Sequence, residues 1–154
     1  MVRADLDDPR LIAFLQAHLA DMEPTAPPES RHALDLAALR DPSVRLWAVH
    51  GAAGVLATGA VKDLGEGHHE LKSMRTDPAS RGQGLGSRMV RHLVADARSR
   101  GAHRIWLETG SMDFFAPARA MYARAGFVEC GPFGSYVPDP LSTFMTLDLV
   151  SAGQ

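Results

Sequence analysis

The sequence predicts an α/β domain of three layers with a mixed, mostly antiparallel sheet, and three observations carry that expectation. Residues 44–50 (VRLWAVH) and 55–64 (VLATGAVKDL) are β-rich runs on either side of a GAAG turn, which makes a hairpin. A third β-rich run, 68–76 (HHELKSMRT), extends it into a meander. Beyond it, Leu85, Met89, Val90, Leu93, Val94 and Ala97 recur at the spacing of a helix laid on a sheet, and strands then alternate with helices. Antiparallel and crossover connections together give a mixed sheet with helices on its faces.

Each element has its own warrant. Residues 9–22 place Leu11, Leu15, Leu19 and Met22 on one helical face, with Pro9 suited to the first turn after Asp8. The stretch EPTAPPES (23–30) interrupts with three prolines and is long enough to shape a pocket. Ser30 then suits the cap of a short helix ending near residues 40–42. After the meander, Pro78 and a glycine run lead into the long helix, expected from about Gly84 to Arg100. A strand is expected at 102–109, a helix closed by Gly126 at 117–126 and a strand at 127–130. The loop GPFGSYVPDPLS precedes a last strand at 143–150.

A chain of 154 residues is long enough for one domain over 1–154 that buries roughly two thirds of its unfolded surface. Apolar residues make up 45% and charged residues 22%, a globular balance. With 16 basic and 18 acidic side chains the net charge is -2, which argues against non-specific nucleic-acid binding as the main role and leaves only a local basic patch open. One cysteine, Cys130, excludes an internal disulfide framework and suits a reducing compartment. The N-terminus lacks the order of a secretion signal, and no apolar run approaches the roughly 18 residues of a membrane span. A cytoplasmic protein without a membrane partner is the expectation.

Residues 79–93 (ASRGQGLGSRMVRHL) set three glycines on alternate positions at a helix mouth, although a glycine inside a helix costs about 1 kcal/mol against alanine. A Walker A loop would end in Gly-Lys-Ser/Thr, whereas Gly86 is followed by Ser87 and Arg88. A dinucleotide fingerprint starting at Gly82 would need a glycine where Ser87 stands and an acidic residue near 104. An anion cradle remains, because the first amides of a helix lack internal partners and carry partial positive charge. Absent Cβ atoms at Gly82, Gly84 and Gly86 would let a pyrophosphate rest on those N–H groups. Each charge-assisted bond contributes about 1.5–3 kcal/mol, so several amides plus Arg81 suffice for micromolar binding. The alternative is a glycine-rich loop that only reverses the chain.

Arg81-Gly82-Gln83-Gly84-Leu85-Gly86 resembles the R/Q-x-x-G-x-G/A motif of the GNAT superfamily, the Gcn5-related N-acetyltransferases. AMYARAGF (120–127) resembles that family's second signature, at the expected separation, and the element order fits over essentially the whole chain. The chain is thus similar to a small, bacterial-type, single-domain member with a splayed strand pair. The resemblance implies acetyl-CoA as donor, with its pyrophosphate on Arg81, Gly82, Gln83, Gly84, Leu85, Gly86 and Ser87. It further implies that the backbone at Met74, Arg75 and Thr76 pairs with the pantetheine amides as an added strand would. An acetyl group would then pass to an amine, of a small molecule, by direct attack in a ternary complex. The competing reading is a non-catalytic CoA-binding sensor.

Acyl transfer to an amine needs a neutral amine, a stabilised oxyanion and a proton for the thiolate. An alkyl amine with a pKa near 10 is neutral in only about one molecule in a thousand at pH 7. Glu70, on the strand beside the implied wedge, is the candidate that removes its proton; the alternative is a solvated glutamate paired with Lys72. Tyr122 matches the family's tyrosine and is placed as general acid, or as a strong hydrogen-bond donor, to the thiolate; the alternative is a helix tyrosine packed on the sheet. The resemblance assigns the oxyanion to a backbone N–H at Met74 or Arg75.

One position departs from the family. Where many members carry a pantetheine-binding asparagine, seven residues before the tyrosine, this chain has Phe115. Phe114 and Phe115 form either an aromatic wall near the acyl or acceptor pocket or simple core filling. Acceptor contacts are expected among His18, Met22, Glu23, His32, Tyr136 and Asp139, a set that does not fix the acceptor's charge. His68 and His69 point to opposite faces of a strand, so a metal is not expected and surface histidines are. Cys130 has no flanking His or acid in FVECGPF and is expected as a small buried side chain. Homodimers are common in the family, and this sequence marks no interface.

Overall fold

Seven strands form one sheet in the order β1-β2-β3-β4-β5-β7-β6 in a computed structural model that describes residues 1–22, 36–52, 54–134 and 136–149. The strands are β1 (Val2–Arg3), β2 (Val44–Gly51), β3 (Gly54–Gly65), β4 (His68–Thr76), β5 (Arg104–Gly110), β6 (Val128–Cys130) and β7 (Ser142–Asp148). The helices are α1 (Pro9–Met22), α2 (Leu36–Leu39), α3 (Leu85–Ser99) and α4 (Ala116–Arg124). Every strand pairing is antiparallel except β4 with β5, so the mixed, mostly antiparallel sheet is present. Strand β1, two residues paired with Trp47 and Ala48, carries no sequence pattern long enough to predict it. The segment 23–30 and Ser30 lie outside the described residues.

Helices cover both faces. On one, Leu85, Met89, Val90, Leu93 and Ala97 of α3 are buried against Val61, Leu71, Ile105 and Leu107 of the sheet. Burying each of the larger side chains contributes about 1.5–3 kcal/mol, which outweighs the glycine at position 86 of the same helix. On the other face, Leu11 and Leu15 of α1 and Leu39 of α2 pack on Val44, Leu46, Ala48 and Ala60. A buried ion pair ties β2 to α3: Arg45 Nε donates to Asp96 Oδ2 at 2.8 Å. Burial alone would raise the Asp96 carboxyl, but hydrogen bonds from Arg45 and Arg100 outweigh it and hold the group below its ordinary range.

The feature that positions the site is where β4 and β5 part. Their parallel register runs only from His68–Arg104 to Leu71–Leu107, while β4 continues to Thr76 and β5 to Gly110. Beyond Leu71 and Leu107 the two strands diverge, giving the splayed pair.

Candidate active site

Between the diverging β4, the mouth of α3 and the flank of α4 lies a cleft of about 490 Å³. Met74, Arg75, Thr76, Arg81, Gly82, Gly84, Leu85, Gly86 and Ser87 line one side of it. Gln83 is exposed and does not line it. On the α4 side stand Phe114, Phe115, Met121, Tyr122 and Arg124.

The glycines divide by cause. Gly82 and Gly84 have φ of +84° and +76°, backbone that other residues adopt only under strain, and open space lies where their Cβ atoms would be. Gly84 is the N-cap of α3 and offers no side-chain cap. The helix's own ladder starts with Arg88 N–H on the Gly84 carbonyl at 3.0 Å, so the amides of Leu85, Gly86 and Ser87 have no partner within the helix. No acidic residue stands in that first turn. Open amides, a favourable dipole and the arginines Arg81 and Arg124 on the cleft wall suit a diphosphate. Gly86 also lines the cleft and has a second role. A Cβ there would come within 2.7 Å of Met121 Sδ, so this glycine lets α4 approach α3.

Strand β4 carries a bulge beside the cleft. Ala60 pairs with Lys72 and Thr58 with Arg75, which leaves Ser73 and Met74 together opposite Gly59. Ser73 has φ +53°, and the Thr58 hydroxyl donates to its carbonyl at 2.9 Å. A Cβ on Gly59 would meet Met89, Leu93 and Met74 at 2.6–2.8 Å, so only glycine lets α3 and the bulge close over this point. The bulge turns the strand at Met74 and Arg75, whose amides are the expected oxyanion donors.

Two carboxyl groups flank the point of divergence. Glu70 is 5% exposed and accepts a hydrogen bond at Oε2 from the Tyr136 hydroxyl at 2.6 Å. Lys72 Nζ stands 3.8 Å from Oε1, so the pairing with Lys72 exists, but the glutamate is buried rather than solvated. Glu108 follows Leu107, the last β5 residue in register with β4. Burial, with the charges of Glu70 and Asp139, pushes its carboxyl up from 4.5 to about 7 against a hydrogen bond from Ser142. That bond, Ser142 Oγ to Oε2, is 2.7 Å. Sequence reasoning missed Glu108. Alternation along β5 could have found it, since Ile105 and Leu107 are buried in the core under α3 and set Trp106 and Glu108 on the other face.

Tyr122 is 5% exposed, lines the cleft and packs edge-on against Phe127 at 5.9 Å. Burial, and then the charge of Glu108, pushes its phenol above the ordinary tyrosine range. A phenol so disposed keeps its proton and acts as a hydrogen-bond donor.

The remaining candidates scatter. Tyr136 reaches the site through Glu70, whereas Asp139 accepts a bond from the Leu141 amide at 2.9 Å and shapes the turn before β7. Glu23 and His32 lie outside the described residues, as do the side chains of His18 and Met22. His68 and His69 do point to opposite faces, but neither is a surface histidine. His68 Nδ1 accepts from Trp106 Nε1 at 3.0 Å, and His69 is 3% exposed, its pKa pushed down by burial. Cys130 is half-buried at the end of β6 rather than buried, because β6 is an edge strand. Among the described residues, no three His, Cys, Asp or Glu side chains converge as metal ligands, and no helix is long and apolar enough to cross a membrane.

Residues 10–127 match the model of the acetyltransferase (GNAT) family. The uncharacterized N-acetyltransferase YsnE of Bacillus subtilis is 40% identical over 145 residues, 94% of this chain and 96% of its own length. The IAA acetyltransferase of Azospirillum brasilense is 38% identical over 137 residues, 88% of this chain and 86% of its own. Among solved structures, a Klebsiella pneumoniae protein assigned as an acyl-CoA N-acyltransferase superposes with a TM-score of 0.81 at 34% identity, covering 96% of this chain and 95% of that one. With a family model over most of its length and relatives matched nearly end to end, the chain belongs to the GNAT family and is an acetyl-CoA-dependent N-acetyltransferase.

Proposed function

We propose that this enzyme acetylates a free small-molecule amine by direct attack on acetyl-CoA within a ternary complex. The observation that carries the reading is a cleft lined by Tyr122 and by the mouth of α3, with Glu70 and Glu108 standing at the end of the β4–β5 register beside it. The name of the Azospirillum relative, IAA acetyltransferase, supports a small-molecule acceptor.

Each residue then has a role. The amides of Leu85, Gly86 and Ser87, with Arg81, hold the diphosphate, and the β4 backbone at Met74–Thr76 pairs with the donor's amide-bearing arm. Glu70 takes the proton of the incoming ammonium, and Glu108, its carboxyl raised to about 7 by burial, stands beside it as a second proton-holding group. As the new C–N bond forms and the C–S bond breaks, an N–H of Met74 or Arg75 meets the oxyanion, and the Tyr122 hydroxyl meets the departing thiolate.

The test is a screen of small amines and short peptides against acetyl-CoA, reading released thiol and the mass of the product. Acetylated small amines are expected. Transfer confined to peptides, or no transfer to any acceptor by protein that binds acetyl-CoA, would overturn the reading.

A further inference from the structure

The loop between β6 and β7 sends one side chain onto the face of the sheet that carries both carboxyl groups. Leu71 of β4 and Ile105 and Leu107 of β5 are buried in the core under α3, so Glu70, Lys72, Trp106 and Glu108 project from the opposite face. Glu70 and Trp106 are partners in the β4–β5 register, and Glu108 is paired with Phe144 of β7. Tyr136 arrives at this face from 66 residues along the chain and donates its hydroxyl proton to Glu70 Oε2 at 2.6 Å.

The phenol is delivered by a pinned ring. Tyr136 packs against Phe133 and against Phe144, with centroids 4.9 and 5.5 Å apart, and Phe133 is itself stacked on Trp106. Its backbone N–H donates to the Phe133 carbonyl at 3.0 Å, which closes the loop on itself. Burial, and then the charge of Glu70, hold the phenol above the ordinary tyrosine range, so it keeps its proton and stays the donor. The last torsion of a glutamate is otherwise broad, and a hydrogen bond from a fixed donor removes that freedom. With Oε2 turned to the loop, Oε1 is the oxygen on the side of Lys72, whose Nζ stands 3.8 Å away.

We propose that Tyr136 is a positioning residue for Glu70: its hydrogen bond fixes the carboxylate so that Oε1 is the oxygen presented to the ammonium of the acceptor. The proposal rests on the reading of Glu70 as the group that takes the acceptor's proton. Tyr136, expected among the acceptor contacts, thus acts one step behind them. The proton passes from the ammonium nitrogen to Oε1, the freed lone pair attacks the thioester carbonyl, and the phenol proton stays where it is. A carboxylate that swings away from that line loses much of its effect, because proton transfer needs the two atoms within hydrogen-bond reach.

The test is a double-mutant cycle with Glu70→Gln, read as kcat and KM for an acceptor found in the screen. Tyr136→Phe removes only the hydroxyl and keeps the packed ring. It is expected to lower kcat about tenfold, with acetyl-CoA binding by calorimetry within about twofold of wild type. Added to Glu70→Gln, the same change is expected to cost less than about twofold, because the group it positions no longer takes the proton. Wild-type kcat in Tyr136→Phe, loss of its acetyl-CoA binding, or a tenfold cost that recurs in the Glu70→Gln background would overturn the positioning role. Wild-type kcat in Glu70→Gln, or a screen without any acceptor, would instead overturn the proposed function on which that role depends.

Discussion

The two halves of the site are built from different materials. The half proposed for the donor is backbone: left-handed glycines, three helix amides without helical partners and a bulged strand, all within residues 73–87. The half behind it is side chain: Glu70 with Tyr136, Glu108 with Ser142, and a packed set of rings. In that set Phe133 stacks on Trp106 at 5.3 Å and meets Phe144 edge-on at 5.9 Å, while Tyr136 lies 4.9 Å from Phe133. On the proposed roles, donor recognition is local and fixed by φ angles, whereas proton handling depends on segments brought together from across the chain.

If the halves are separate in this way, substitutions should split binding from turnover. Gly84→Val, which forces a β-branched residue into the left-handed region at the cradle, is expected to weaken acetyl-CoA about a hundredfold by calorimetry. Glu70→Gln should do the reverse: kcat for an amine found in the screen falls about a hundredfold while the acetyl-CoA dissociation constant stays near wild type. A smaller effect of the same kind is expected for Tyr122→Phe, about tenfold in kcat with binding retained. Loss of donor binding in either of the last two variants would break the comparison, since it would join the halves energetically.

The smallest effect concerns stability. The Glu108 carboxyl is raised from 4.5 to about 7 in the folded protein, so the folded state binds the extra proton between those values. Its contribution is fully present below about pH 4.5 and is lost as pH rises through about 7, an effect of up to about 3 kcal/mol. Urea midpoints should therefore fall between pH 5 and pH 8 in wild type and fall less in Glu108→Gln. Equal slopes in the two proteins would show that Glu108 is not the group responsible.

The same contrast explains what was legible in the sequence. Gly82, Gly84, Arg81 and the α3 stripe are contiguous, and each residue's requirement is local, so the glycine turn and its helix could be read directly. The hairpin and β4 were legible because β-rich runs and turn residues fix them within a few positions. Glu108 was overlooked because its environment comes from Ser142, Glu70 and Asp139, separated from it by 30 residues or more. The further contact of Gly86 escaped the sequence for a related cause: its neighbour is Met121, on another helix. Buried His69 and half-buried Cys130 likewise follow from which face and which edge of the sheet they occupy, which spacing alone does not specify.

That notch at Gly86 has an implication for redesign. Because the thioether of Met121 rests where a methyl group would otherwise stand, and Tyr122 is the next residue, the helix opened by the glycine turn and the helix that carries the phenol share one joint. An α4 taken from a relative would seat here only if the side chain at position 121 fitted that notch.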